Sequence, residues 1–217
     1  MFNGVKRAVF FGAHTDDEMI AAGTLHRLDR SGCSIQIVSF GPAGTKEDPD
    51  GGNTSLEIVY PEWMRAGRRI VNSFPHELID DEWVLPSKSM HTRGQEIADI
   101  AFRVVNEVRP DLCFILSPDD ENPAHAEVGR QCERVMRGRV PLVVRCQFPW
   151  NYSIGRANLF VTLSPEDVQC KRDVINCYQS QLWRYRYEDM LLSYARADGL
   201  SVKAEYAEKF ELLRGVV

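Results

Sequence analysis

Three short, nearly unbroken apolar runs constrain this chain most: RAVFFGA at residues 7–13, SIQIVSF at 34–40 and LCFIL at 112–116. Runs of this length, rich in Val, Ile and Phe, suit strands buried on both faces of a sheet. The segments between them have a different period. Over residues 17–30, Met19, Ile20, Ala22, Leu25 and Leu28 recur at helical spacing, and Gly32 follows as a helix stop. Further helices are expected at 61–71, with Pro61 in its first turn, at 94–108, ended by Pro110, at 124–137 and from Pro165 onward. Further strands are expected within 76–85 and at 142–148 and 159–163, and the segment 203–213 reads as a closing amphipathic helix. Strand–helix alternation with right-handed crossovers predicts an α/β fold: three layers around a mostly parallel, Rossmann-like sheet.

With 217 residues, 44% of them hydrophobic, the chain supports one well-buried core and hardly two, so residues 1–217 read as a single domain. No stretch approaches the ~20 apolar residues of a membrane span, and the first residues run into a strand without a cleavable leader pattern. The six cysteines are scattered singly, without a CxxC pair, and several lie inside apolar runs. Free, buried thiols in a reducing compartment follow, and a cytoplasmic location is expected. The net charge of -5 gives no nucleic-acid footprint. The sequence is compatible with homo-oligomers but does not specify one.

In such sheets ligands bind beyond the carboxyl ends of the strands, where the strand order reverses. If the first strand and LCFIL are neighbours there, the loops AHTDDE and SPDDENPAH share one crevice. His14 and Asp17, three apart at a strand-to-helix turn, converge on one point, and an imidazole with a carboxylate suits zinc. Asp16 cannot share their direction and is free to act as a general base beside a bound water. An acidic triplet at this place also simply favours a helix N-terminus, and spacing alone does not decide between the two. Of the other histidines, His26 lies inside the first helix, facing away, while His76 and His91 flank an irregular region with structural or exposed roles as the default. His125, nine residues past LCFIL, is the one placed to reach the crevice, which gives a candidate site of His14, Asp17 and His125.

AHTDDE resembles the AHPDDE signature of the PIG-L/LmbE family, zinc-dependent N-acetylglucosaminyl deacetylases and their amidase relatives. ENPAHAEVGR resembles the family's HxDHxxxGR, with His125, Gly129 and Arg130 in register. KRDVINCYQSQ resembles its K-x-x-A-L-x-x-H-x-S-Q helix through Lys171, Ser180 and Gln181. AEYAEKF is similar to the closing YAE-x-F, and Glu62 and Ala66 fit an E-x-x-x-A helix. The resemblance implies one zinc per chain, with iron or cobalt as alternatives, held by His14, Asp17 and His125. It implies Asp16 as general base and a small N-acylated amino sugar or sugar conjugate as substrate, with neither nucleic acid nor membrane as partner.

Several positions depart from the family pattern. Thr15 replaces the proline of the first motif, which should loosen its loop. Asn122 and Ala124 stand where the family carries a histidine that stabilises the oxyanion or protonates the leaving group and the aspartate that orients it. Asn122 is therefore a candidate catalytic residue that donates a hydrogen bond but carries no proton. Val59 replaces an arginine, and Tyr178 the histidine before Ser-Gln. These changes leave open a conjugate amidase of the same family and a weakly catalytic binding protein that keeps the metal pocket. A nucleotide-binding domain is disfavoured, since an acidic first turn repels phosphate and GPAGTKEDPDGGN lacks the phosphate-loop signatures. Trp150, Asn151 and Tyr152, and the run LWRYRYED at 182–189, read as aromatics packed into the core ahead of a sugar-stacking surface. Asp119, Asp120 and Glu121 read as solvated.

Overall fold

The run at residues 7–13 forms the strand at the heart of the sheet. In the computed structural model, which describes residues 2–49, 53–71, 75–78, 87–151 and 157–216, β1 (Arg7–His14) is buried along its whole length after Arg7. It is followed by α1 (Ala22–Arg30), β2 (Ser34–Gly41), α2 (Asn53–Ile70), β3 (His76–Leu78), α3 (Ser87–Met90), α4 (Gly94–Val108) and β4 (Leu112–Leu116). The second half supplies α5 (Pro123–Met136), β5 (Leu142–Cys146), β6 (Leu159–Thr162), α6 (Pro165–Cys177), α7 (Tyr187–Ser201) and β7 (Ala207–Gly215). The described residues form a seven-stranded sheet in the order β3-β2-β1-β4-β5-β7-β6. Pairing is parallel from β3 through β5 and antiparallel where β7 meets β5 and β6.

From β1 the chain steps outward to β2, whereas from β4 it steps the other way to β5. Right-handed crossovers therefore put α1 and α5 on opposite faces, giving the expected three layers. Helices α1, α2 and α6 pack together, as do α4 and α5. The strand order reverses between β1 and β4, whose Ala8 and Leu112 are in register, so the loops after these two strands do share a crevice. All six cysteines are free thiols. No described helix is long and apolar enough to cross a membrane.

Three element expectations need correction. The segment 203–213 contributes not a helix but the inner strand β7. Its helix-favouring Glu and Lys residues are held in the sheet by partners: Glu208 takes Lys171 Nζ at 2.6 Å, Glu211 takes Arg145 Nη1 at 2.8 Å and Lys209 meets Asp198 at 3.1 Å. Tertiary pairing overrides local propensity there. Helix α2 starts eight residues before Pro61, which lies inside it. Pro61 is on the exposed face, as is Glu57, whose carbonyl loses its helical partner there. The helix expected over 17–30 is split into a 3₁₀ turn, Asp17–Ile20, and α1. The strand expected within 76–85 appears as β3, and residues 79–85 lie outside the described residues.

Candidate metal centre

The last residue of β1 is His14, and the turn after it is tightened by its own carboxylate: Asp17 Oδ2 accepts the His14 backbone N–H at 2.9 Å. Lys171, nearly fully buried, donates to the carbonyls of Met19 and Ile20, each at 2.8 Å, and to Glu208. Glu208 in turn accepts the Gly23 and Thr24 N–H groups at the start of α1. The family-like residues Lys171 and Glu208 thus pin this turn from behind. Ser180 donates to Glu62, Gln181 donates to the Gly44 carbonyl, and Tyr178 donates to buried Glu18. Thr15 does not leave its loop slack, because its hydroxyl accepts the Ala43 N–H at 3.1 Å.

Across the crevice, α5 begins with Asn122 as its N-cap, the side-chain oxygen accepting Ala124 N–H at 2.9 Å. Gly129 lets α5 close onto the end of β4, since a Cβ there would lie 2.5 Å from the Leu116 carbonyl oxygen. That approach carries His125 to His14. His125 Nε2 lies 3.1 Å from His14 Nδ1 and 3.2 Å from Asp17 Oδ1, and His14 Nδ1 lies 3.9 Å from Asp17 Oδ1. Donors about 2.1 Å from a common tetrahedral centre stand roughly 3.4 Å apart, close to these spacings. Among the described residues this is the one group of His, Cys, Asp and Glu whose ligand atoms gather this closely, all three side chains being buried.

The second nitrogen of His125 is also committed. Nδ1 lies 3.2 Å from Asp120 Oδ2, and the same carboxylate accepts the Asn122 N–H at 2.8 Å and Asn151 Nδ2 at 2.9 Å. Asp120 is not solvated, as its sequence suggests, but buried behind the histidine. Burial alone would lower the His125 imidazole, yet Asp17 and Asp120 on either side outweigh it and raise it to about 10. Burial opposes ionisation of Asp17, and the charge and hydrogen bond of His125 overcome it, holding the carboxyl well below its usual range. The pocket therefore calls for a positive charge at this point. Burial, reinforced by Asp17, raises Asp16 to about 6.

Asp16 and Asn122 line the same cavity as the three clustered residues, a cavity of about 550 Å³. Its outer wall is aromatic. Phe148 and Trp150 stack with centroids 4.5 Å apart at 9°, and Trp150 continues onto Tyr185 at 5.9 Å and 19°. Trp183, Arg184, Tyr185 and Tyr187 complete the wall. The run 182–189 is therefore not a core-packed helix: residues 182–186 precede α7, and Trp183 and Tyr185 are about half exposed at the rim (46% and 51%). Tyr152 lies outside the described residues. Of the remaining histidines, His26 pairs with Asp167 at 2.8 Å between α1 and α6, His76 is buried against Trp63, and His91 is exposed. None of the three lines the cavity.

The fold and the cluster define a three-layer α/β protein with a His–Asp–His centre at the switch point of its sheet. The family profile described as PIG-L, GlcNAc-PI de-N-acetylase, matches residues 9–136, and the chain belongs to that family. No curated protein sequence matches it. Similar solved structures include the conserved protein TT1542 from Thermus thermophilus (TM-score 0.79, 18% identity, 97% of this chain and 95% of that one). N,N'-diacetylchitobiose deacetylase from Pyrococcus horikoshii is also similar (0.72, 19%, 99% and 86%). So is GalB, the 4-carboxy-2-hydroxymuconate hydratase of Pseudomonas putida (0.72, 17%, 98% and 98%). At these identities the likeness is one of fold, and that fold serves more than one reaction.

Proposed function

We propose that the chain is a metal-dependent hydrolase that removes an N-acyl group, acetyl in the simplest case, from an amino sugar or sugar conjugate. The observation that carries this reading is the convergence of His14, Asp17 and His125, with Asp16 on the same cavity. Membership of the PIG-L family and the likeness to a chitobiose deacetylase support the substrate class. His14 Nδ1, Asp17 Oδ1 and His125 Nε2 would hold one zinc ion, and Asp120 fixes His125 in the tautomer that turns Nε2 toward it. Bound there, zinc would supply a lowered pKa for its water and a polarised acyl carbonyl. Asp16 accepts a proton from the attacking water as its oxygen bonds to the carbonyl carbon. When the C–N bond breaks, Asp16 returns that proton to the nitrogen, leaving a free amine and a carboxylic acid. Trp183 and Tyr185, about half exposed at the rim, offer aromatic surface to a sugar.

The test is amine release from a panel of N-acetylated amino sugars, with and without added zinc. Parent protein should turn over at least one of them only when loaded. Asp16→Asn should keep its zinc and its fold and lose about 10²–10⁴-fold in rate. A variant retaining a third of parental turnover removes Asp16 from the role of base, and a zinc-loaded parent that releases no amine from any member overturns the hydrolase reading.

A further inference from the structure

Position 122 leaves part of the chemistry unserved. An acyl oxygen gains negative charge as water adds to its carbon, and a hydrogen-bond donor aimed at it lowers the barrier. Asn122 has its side-chain oxygen engaged in capping α5, which leaves its Nδ2 as one donor for such an oxygen but no acidic proton and no imidazole. Glu121 on the same wall is a carboxylate and repels such a charge. Arg184 is drawn toward the Pro49 carbonyl, at 3.0 Å, and the Trp183 ring. Two hydroxyls stand on the wall, those of Tyr185, half exposed at the rim, and of Tyr187, the buried first residue of α7.

Tyr187 is 4% exposed as a residue, its hydroxyl makes no hydrogen bond to a described residue, and that hydroxyl is not among the buried polar atoms left without a partner, so it opens onto the cavity that the residue lines. A phenol hydroxyl that opens onto a cavity is free to donate to whatever occupies it. Here the ring is held in place by Tyr185, edge-on at 5.4 Å and 70°, and the chain keeps the unpaired hydroxyl on the cavity wall. Burial raises the phenol above its usual range, keeping the O–H as a donor, and the charges of Asp16, Arg184 and Asp17 all bear on it, so it lies in the field of the reaction centre. We propose that the Tyr187 O–H donates a hydrogen bond to the substrate's acyl oxygen and stabilises the charge that builds there, in the place of the family histidine that Asn122 replaces. No proton leaves Tyr187 in this role. The role rests on the hydrolase reading above.

Tyr187→Phe decides it, read in two ways on zinc-loaded protein. The first is turnover of an N-acetyl amino sugar, and the second is calorimetric binding of methylphosphonate, a tetrahedral anion that mimics the charged oxygen. The expected result is kcat down about 10²-fold with KM within about threefold, methylphosphonate weakened at least about tenfold, and zinc content unchanged. Adding Asn122→His and Ala124→Asp to Tyr187→Phe should recover part of the lost kcat, because the imidazole takes over the same oxygen. Equal methylphosphonate affinity in parent and variant, or a rise in KM at constant kcat, overturns the proposal. If the parent hydrolyses nothing, the hydrolase reading fails, while the phosphonate comparison still decides Tyr187. Should Tyr187→Phe not fold, Tyr187→Leu takes its place in both measurements.

Discussion

Asp120 holds His125 by Nδ1 at 3.2 Å, and this contact sets the direction in which Nε2 points. Asp120→Ala removes that hold and frees the imidazole to swing and change tautomer, so zinc affinity should fall about 10–100-fold with the three ligands intact. Competition against a chelator measures it, and unchanged affinity would make Asp120 a cap for the Asn122 N–H and nothing more. His14, Asp17 and His125 were legible in the sequence because their spacing and their places after two buried strands follow from chain-local geometry. Asp120 lies five residues before His125 and is just as local, but three acidic residues in a row look the same solvated or buried. Tyr187 lies in the run 182–189, whose aromatics read as core-packed ahead of a sugar-stacking surface, and nothing local singled out its hydroxyl. It meets the cavity as the first residue of α7, which packs on β7 and α6, and such a meeting is set by tertiary packing.

The elements behind the site explain why residues far apart in sequence matter to it. Lys171 on α6, Glu208 on β7 and the turn before α1 form one buried unit, with Nζ 2.8 Å from two carbonyls and 2.6 Å from the carboxylate. Lys171→Met takes from Glu208 its one cationic partner among the described residues and leaves it its two backbone N–H partners, so unfolding free energy should drop by about 3–5 kcal/mol in denaturant titrations. A loss under about 1 kcal/mol would mean water compensates the pair. This unit is also why β7 was misread: its Glu and Lys residues favour a helix locally, and their partners lie on other elements. The packing of α2 on β3 gives a second expectation. A side chain at Gly67 would overlap the His76 ring, which lies edge-on to Trp63 at 4.6 Å and 72°. Burial lowers His76 from 6.5 to about 3. The unfolded chain therefore binds the proton first as pH falls, and stability should decline from pH 6.5 toward 3, by about 1.4 kcal/mol per unit from this residue. His76→Leu should flatten that part of the acid slope relative to the parent, and parallel slopes would remove His76 as its source.

At the scale of the whole molecule, the candidate centre joins two parts of the sheet. His14 and Asp17 belong to the β1 turn and His125 to α5, whose contact with β4 depends on Gly129. An ion held by all three therefore binds the folded chain far better than the unfolded one, in which residues 14 and 125 are distant. The alternation of apolar runs with helical segments made the fold class legible, and the shared crevice followed on one condition, that β1 and β4 are neighbours, which their pairing meets. The aromatic rim was not legible, since it draws on residues 148–150 and 183–187 from outside that alternation. Binding to the native state alone adds about 2.7 kcal/mol of stability when free ligand stands at 100 times its Kd. For a chain of this length each kcal/mol moves Tm by about 2–4 °C, so zinc at that excess should raise the parent's Tm by roughly 5–10 °C. Asp17→Asn should lose most of that rise, read against its own metal-free Tm, because a neutral amide is a poor zinc ligand and little redundancy exists in a three-ligand site. Magnesium at the same concentration should leave both unmoved, since two imidazoles are poor ligands for a hard, oxygen-seeking cation. Equal zinc-induced shifts in parent and Asp17→Asn, measured by scanning calorimetry, would place the stabilising ion elsewhere on the molecule and detach the His–Asp–His cluster from metal binding.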